Sequence, residues 1–129
     1  MATGLRGTVL VVDDDDSMRE AIEALLGAAG VDAILYESAE ALLADTRSAD
    51  AACVVSDLQL PGMSGLDLLC RLRARNAHTP VIVITAHDTP AQRIKAHRAG
   101  ATAYLAKPFL GSALLVAIGS AISPEPGGI

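Results

Sequence analysis

The sequence predicts a doubly wound α/β domain around a central parallel sheet, and three observations lead there. Five short aliphatic runs alternate with five segments of helical apolar spacing, the pattern of repeated βα units. Hydrophobic residues make up 51% of the chain with one Phe, two Tyr and no Trp, so the core is built from Ala, Val, Leu and Ile, as suits strands buried on both faces. Four of the runs end in polar groups: Asp13 and Asp14, Asp57, Thr85, and Lys107 followed by Pro108. In an open parallel sheet, ligands bind outside the carboxyl ends of the strands, so these groups converge on one site.

The β-branched run Val9–Val12 is the first strand. Ser17 with Glu20 matches a capping box, and Met18, Ile22, Leu25, Leu26 and Ala29 carry an apolar stripe up to Gly30. Asp15 and Asp16 extend the acidic run and read as helix-start residues favoured by the dipole rather than metal ligands. Ala33–Tyr36 is the second strand, Ser38–Arg47 the second helix, and Ala52–Ser56 the strand leading into Asp57. After a loop over Leu58–Ser64, a third helix spans Gly65–Arg75 with Leu66, Leu69 and Leu72 or Cys70 on its apolar side and Arg71, Arg73 and Arg75 facing water. Val81–Ile84 is the fourth strand; Asp88 or Thr89 caps a helix with Pro90 in its first turn, ending before Gly100. Ala103–Ala106 is the fifth strand and Ser112–Ile122 the last helix. Right-handed crossovers place helices on both faces, giving a three-layer (βα)5 domain. The flavodoxin-like strand order 2-1-3-4-5 sets strands one and three side by side and brings Asp13, Asp14 and Asp57 together.

At 129 residues the chain fits one domain, read here as residues 8–122 with an N-terminal extension over 1–7 and a Pro- and Gly-containing tail over 123–129. A net charge of -5 argues against nonspecific binding to a polyanion, so no direct nucleic-acid contact is expected; the basic helix with Arg93, Lys95 and Arg98 reads as a solvated face. Cys53 and Cys70 lack zinc or disulfide spacing and read as buried free thiols. No run is long enough for a signal core or a membrane span, so the expected location is the cytoplasm. His78 and His97 read as surface residues without a second ligand at metal spacing.

Three carboxylates, a hydroxyl and an ammonium suit a divalent cation and a phosphoryl group, with Asp57 as candidate nucleophile. Taken singly, each feature has a plainer reading. Asp13 and Asp14 could cap a helix, and Asp57 with Lys107 could form a structural ion pair.

The segments VVDDDDSMRE, SDLQLPGMSG, VIVITAH and AGATAYLAKPF together resemble the receiver domain of two-component response regulators, over about Val9 to Ile122. The KPF and DLxLPxMSG wording is closest to regulators whose output domain is a helix-turn-helix, which suggests a role in transcription regulation. The resemblance implies a phosphoacceptor signalling domain rather than a turnover enzyme. Asp57 would take a phosphoryl group from a sensor histidine kinase or phosphotransfer protein. Mg2+, with Mn2+ able to replace it, would be held by Asp14, Asp57 and the Gln59 backbone carbonyl, with Asp13 acting through a water. Lys107 would supply a counter-charge, the bond before Pro108 would be cis, and the amides of Leu58 and Ala86 would donate to the phosphoryl oxygens. Gln59 and His87 border that group, while Thr85 and Tyr104 form the switch that alters the surface of the fourth helix, fifth strand and fifth helix.

From Pro108 to Pro124 the chain has no Asp, Glu, Lys or Arg, and Leu115 and Val116 lie outside the core stripe of Leu114, Ile118, Ala121 and Ile122. That leaves an apolar surface suited to homodimerisation or an output partner. Two rivals remain: an Mg-dependent phosphatase with an aspartate nucleophile, which usually has a second acid where this chain has Gln59, and an interaction module with a vestigial site.

Overall fold

The computed structural model describes residues 7–75 and 78–122. The expected tail and all of the expected N-terminal extension except Gly7 therefore lie outside the described residues. The elements run β1 (Thr8–Val12), α1 (Asp16–Ala28), β2 (Asp32–Tyr36), α2 (Ala39–Ala44), a 3₁₀ turn (Thr46–Asp50), β3 (Cys53–Asp57), α3 (Gly65–Arg75), β4 (Val81–Thr85), α4 (Pro90–Arg98), β5 (Ala103–Ala106) and α5 (Gly111–Ile122). All four strand pairings are parallel, as the alternation of runs predicted, and the sheet order is β2-β1-β3-β4-β5, the flavodoxin-like order expected.

Successive strand side chains point to opposite faces, so each central strand contributes to two cores. Leu10, Val12, Val54, Val81 and Val83 pack with Tyr36, Ala39, Leu42, Leu68, Leu69, Leu72 and Ala96 on the side of α2, α3 and α4. Val9, Val11, Cys53, Val55, Ile82 and Ile84 pack with Ile22, Leu26, Leu114 and Ile118 on the side of α1 and α5. Every residue of β3 and β4 is buried, whereas all four residues of the edge strand β5 are only partly so.

Several local expectations are corrected. The cap of α1 is Asp15, whose carboxylate accepts from the amides of Ser17 and Met18; the acidic run starts the helix earlier than the Ser17 box, and Ala29 falls outside it, exposed. The second helix stops at Ala44 because Asp45 turns out of it and caps the 3₁₀ turn through the Arg47 amide. Leu68 joins Leu69 and Leu72 as a fully buried residue of α3 and Leu66 packs half-buried beside them, while Cys70 is exposed and, of the two thiols, Cys53 is the buried one. Leu115 packs against the core, leaving Val116 as the exposed apolar residue of α5. Thr89 is the cap of α4.

Two of the arginines expected to face water are structural. Arg73 donates to the Gly100 carbonyl from both Nε and Nη2, at 3.1 and 2.6 Å, and to the Thr79 carbonyl at 2.5 Å. It ties α3 to the segments before β4 and β5, next to Gly100, which ends α4 at φ +100°, a conformation that favours glycine. Arg75 likewise reaches the Ser48 hydroxyl and the Leu43 carbonyl. Gly65 matters for the site, because a Cβ there would meet the Asp57 carbonyl and lie 2.7 Å from Leu58 Cα.

Hydrogen bonds from a charged donor contribute about 1.5–3 kcal/mol, so Arg73→Ala should cost about 2–3 kcal/mol, read as a lower urea midpoint with an unchanged slope. A second expectation concerns acid. The Arg47 guanidinium, then the Tyr36 hydroxyl and the Arg47 amide, hold the Asp45 carboxyl well below the usual carboxylate range. A depressed carboxylate stabilises the fold above its unfolded value, about 3.9, and that contribution disappears as pH falls further. Asp45→Asn should therefore flatten the loss of thermal stability below about pH 4, measured by melting temperature against pH.

Candidate functional site

Strand register builds the site. Val12 pairs with Ser56, so Asp13 and Asp57 emerge side by side from β1 and β3. Asp57 pairs with Ile84 and Thr85 with Ala106, which sets Thr85 one step beyond on β4 and Lys107 just past the end of β5. The peptide bond between Lys107 and Pro108 is cis.

Lys107 Nζ donates to Asp57 Oδ2 at 2.6 Å and to Asp13 Oδ2 at 3.1 Å, joining the ends of β1, β3 and β5. Asp13 is fully buried and Asp57 nearly so, whereas Asp14 is exposed. Carboxylate oxygens of Asp13, Asp14 and Asp57 lie within 4.8 Å of one another. Three carboxylates against one ammonium leave two negative charges at an all-oxygen cluster open to solvent at Asp14, a donor set that fits a hard divalent cation.

Burial drives the electrostatics. It pushes the Asp13 carboxyl above the ordinary aspartate range, against the opposing effects of the Asp15 amide and of Lys107. For Lys107, burial disfavours the charged form, but the hydrogen bonds and charges of Asp57 and Asp13 outweigh it and raise its pKa. The two shifts pull opposite ways on the shared pair. Geometry decides for the ionised form, since Lys107 is within hydrogen-bond reach of both carboxylates.

Thr85 is fully buried; its hydroxyl donates to Gln59 Oε1 at 2.6 Å and accepts from the His87 amide at 2.9 Å. The structure thus gathers Asp13, Asp14, Asp57, Lys107, Thr85 and Gln59, while the His87 side chain and Ala86 are exposed at the rim. Tyr104 stands apart: its hydroxyl donates to Asp88 Oδ1 at 3.1 Å, and the Arg93 guanidinium, itself paired with Asp88, lies 5.1 Å from its ring centroid.

One expected donor is corrected. The Leu58 amide is spent on the Ile84 carbonyl at 2.9 Å, continuing the ladder past β3, so it does not face the carboxylate. The amide that does is that of Gln59, which donates to Asp57 Oδ1 at 2.7 Å. Parallel-strand alternation could have shown this, because consecutive amides point to opposite sides. A residue outside the expected set also reaches the site: Arg19, whose Nη1 donates to the Asp13 carbonyl at 2.6 Å. Its signal was the spacing of three from Asp16, with which it forms an ion pair.

Comparison with known proteins agrees with this geometry. The family model described as response regulator receiver domain matches residues 9–119. The transcriptional regulatory protein FixJ of Azorhizobium caulinodans is 41% identical over 110 residues, covering 85% of this chain and 52% of that protein. The DNA-binding transcriptional regulator NtrC of Salmonella typhimurium is 40% identical over 104 residues, 81% of this chain and 22% of that protein. The chain thus spans about half the length of the first of these relatives and less of the second. Among solved structures, the crystal structure titled FixJ-N superposes with a TM-score of 0.81 at 34% identity, over 91% of this chain and 94% of the other. With the family model matched over residues 9–119 and the five-stranded parallel fold shared with FixJ-N, the chain belongs to the receiver domains of two-component response regulators.

Proposed function

We propose that Asp57 accepts a phosphoryl group from a phosphohistidine on a sensor kinase or phosphotransfer protein. The observation that carries this reading is the Lys107 ammonium bridging Asp57 and Asp13 inside a cluster of three carboxylates. An Asp57 carboxylate oxygen attacks phosphorus as the P–N bond breaks, and the leaving imidazole nitrogen keeps the electron pair and takes up a proton. Such transfer needs an in-line nucleophile and neutralisation of spreading negative charge rather than further covalent chemistry. Asp14, Asp57 and the Gln59 backbone carbonyl are the groups that would hold Mg2+, or Mn2+ in its place, with Asp13 acting through a water. The bound cation would supply charge neutralisation at the phosphoryl oxygens. Lys107 supplies a second positive charge there, and the Gln59 amide, already aimed at Asp57 Oδ1, supplies a donor together with the amide of Ala86.

Signalling follows from Thr85. Its hydroxyl now serves Gln59; turning it to a phosphoryl oxygen releases that side chain and frees volume towards Tyr104. For Tyr104 to follow, its bond to Asp88, just before the cap of α4, must break, which passes the change to the α4, β5 and α5 surface. Reversing a two-state preference completely takes about 5.5 kcal/mol, so several contacts must change together. Ile94 on α4 and Val116 on α5, 52% and 67% exposed, are the apolar residues this surface offers to a second copy or an output partner. FixJ and NtrC bear the names of transcription regulators, which supports the same use here. The phosphatase reading is disfavoured because the position two residues after Asp57 carries Gln59, whose side chain is engaged by Thr85.

Acetyl phosphate with Mg2+ should add one phosphoryl mass to the intact protein and none to Asp57→Asn, by mass spectrometry; Lys107→Ala should slow the addition by about 10²–10³-fold. Absence of any mass gain in the wild-type chain rejects the proposal. In sedimentation velocity, beryllofluoride with Mg2+ should shift the protein towards dimer and Val116→Glu should reduce that shift. A monomer unchanged at high concentration counts against association through this face.

A further inference from the structure

We propose that Arg19 is a positioning residue for the cation end of the site, holding the turn between β1 and α1 so that Asp14 meets the metal without rearrangement. The inference rests on the reading above that a divalent cation is held by Asp14, Asp57 and the Gln59 backbone carbonyl, with Asp13 acting through a water. Arg19 lies in the first part of α1, and its side chain is only 15% exposed although its ion-pair partner Asp16 is 81% exposed. The guanidinium forks: Nη1 donates to the Asp13 backbone carbonyl at 2.6 Å, and Nη2 pairs with Asp16.

With that fork in place every polar atom of Asp13 is engaged. Its amide donates to the Tyr36 carbonyl at 3.2 Å, its carbonyl accepts from Arg19, Oδ1 accepts from the Asp15 amide at 2.9 Å, and Oδ2 accepts from Lys107. Asp15 in turn caps α1. Within this run Asp14 is the exception, its carboxylate having no hydrogen bond or ion pair among the described residues. The backbone on both sides of Asp14 is held while its side chain is left for a ligand. Two effects of Arg19 on a cation oppose one another. Its positive charge repels the ion, and its fork removes the entropy of fixing the turn. The charge is offset by Asp16 in direct contact, so the ordering effect dominates. Lysine cannot substitute, because one ammonium does not span two acceptors in the fork geometry.

The test is Mn2+ binding to the purified chain, followed by electron paramagnetic resonance, beside the melting temperature of each variant. Wild type should bind one Mn2+ and Asp14→Asn should abolish it. Partners that orient metal ligands typically change affinity by 10–100-fold, so Arg19→Ala and Arg19→Lys should each weaken Mn2+ binding about tenfold. Arg73→Ala, which lowers stability far from the cluster, should keep wild-type affinity. Unchanged or tighter binding in Arg19→Ala overturns the proposal, as does an equal loss in Arg73→Ala, which would make the effect one of stability alone. A wild-type chain that binds no Mn2+ rejects the metal reading and this inference with it, an outcome distinct from failure of Arg19 alone.

Discussion

A buried charge must be compensated, and here one ammonium does it for two carboxylates. Asp13 and Asp57 sit at the ends of adjacent strands with almost no access to water, and Lys107 arrives from the far side of β4 to meet both. Losing one member of such a group strands the others without solvent, which costs far more than the intact set contributes. The parallel register of β1, β3, β4 and β5 is therefore held by chemistry as well as by packing, since a slip of one residue in β5 would carry Lys107 to the opposite face. Compensation is also incomplete, with an excess of negative charge left at the open side. The same arrangement that ties three strands together keeps an appetite for cations.

Around that constraint the chain distributes its polar contacts unevenly. On the side of α2, α3 and α4, long arginines from α3 reach across to carbonyls before β4 and β5 and in the last turn of α2. On the other side, α1 and α5 rely on aliphatic packing through Ile22, Leu26, Leu114 and Ile118. The polar clasp made by Arg73 sits where the chain enters β4 and β5, at the end of the sheet away from the site, and serves backbone carbonyls that have no ladder partner of their own.

Much of this was legible from residues alone. Alternation of β-branched runs with helical spacing and right-handed crossovers gives a parallel doubly wound sheet, and the strand-end polar groups select the flavodoxin-like order that gathers them at one site. What stayed hidden depended on orientation within a turn. Composition near Asp57 does not distinguish the Leu58 amide, which completes the ladder, from the Gln59 amide, which faces the carboxylate; only strand alternation carried past the end of β3 separates them. Nor does a helical wheel show that Arg73 bends back to Gly100, because a long side chain can leave the face it starts on. The capping choice between Asp15 and Ser17 likewise turned on the angle at which the chain leaves β1, a tertiary property.

The half-buried state of β5 has a mechanical consequence. Strands β1, β3 and β4 are enclosed by neighbours and helices, so any side-chain movement within them compresses a close-packed interior. At the margin of the sheet, β5 has a neighbour on one side only, and Tyr104 is only partly buried where it packs against the core. The sheet is thereby packed most closely where the acid residues are aligned and least closely at β5, with Thr85 on the last enclosed strand before that open edge.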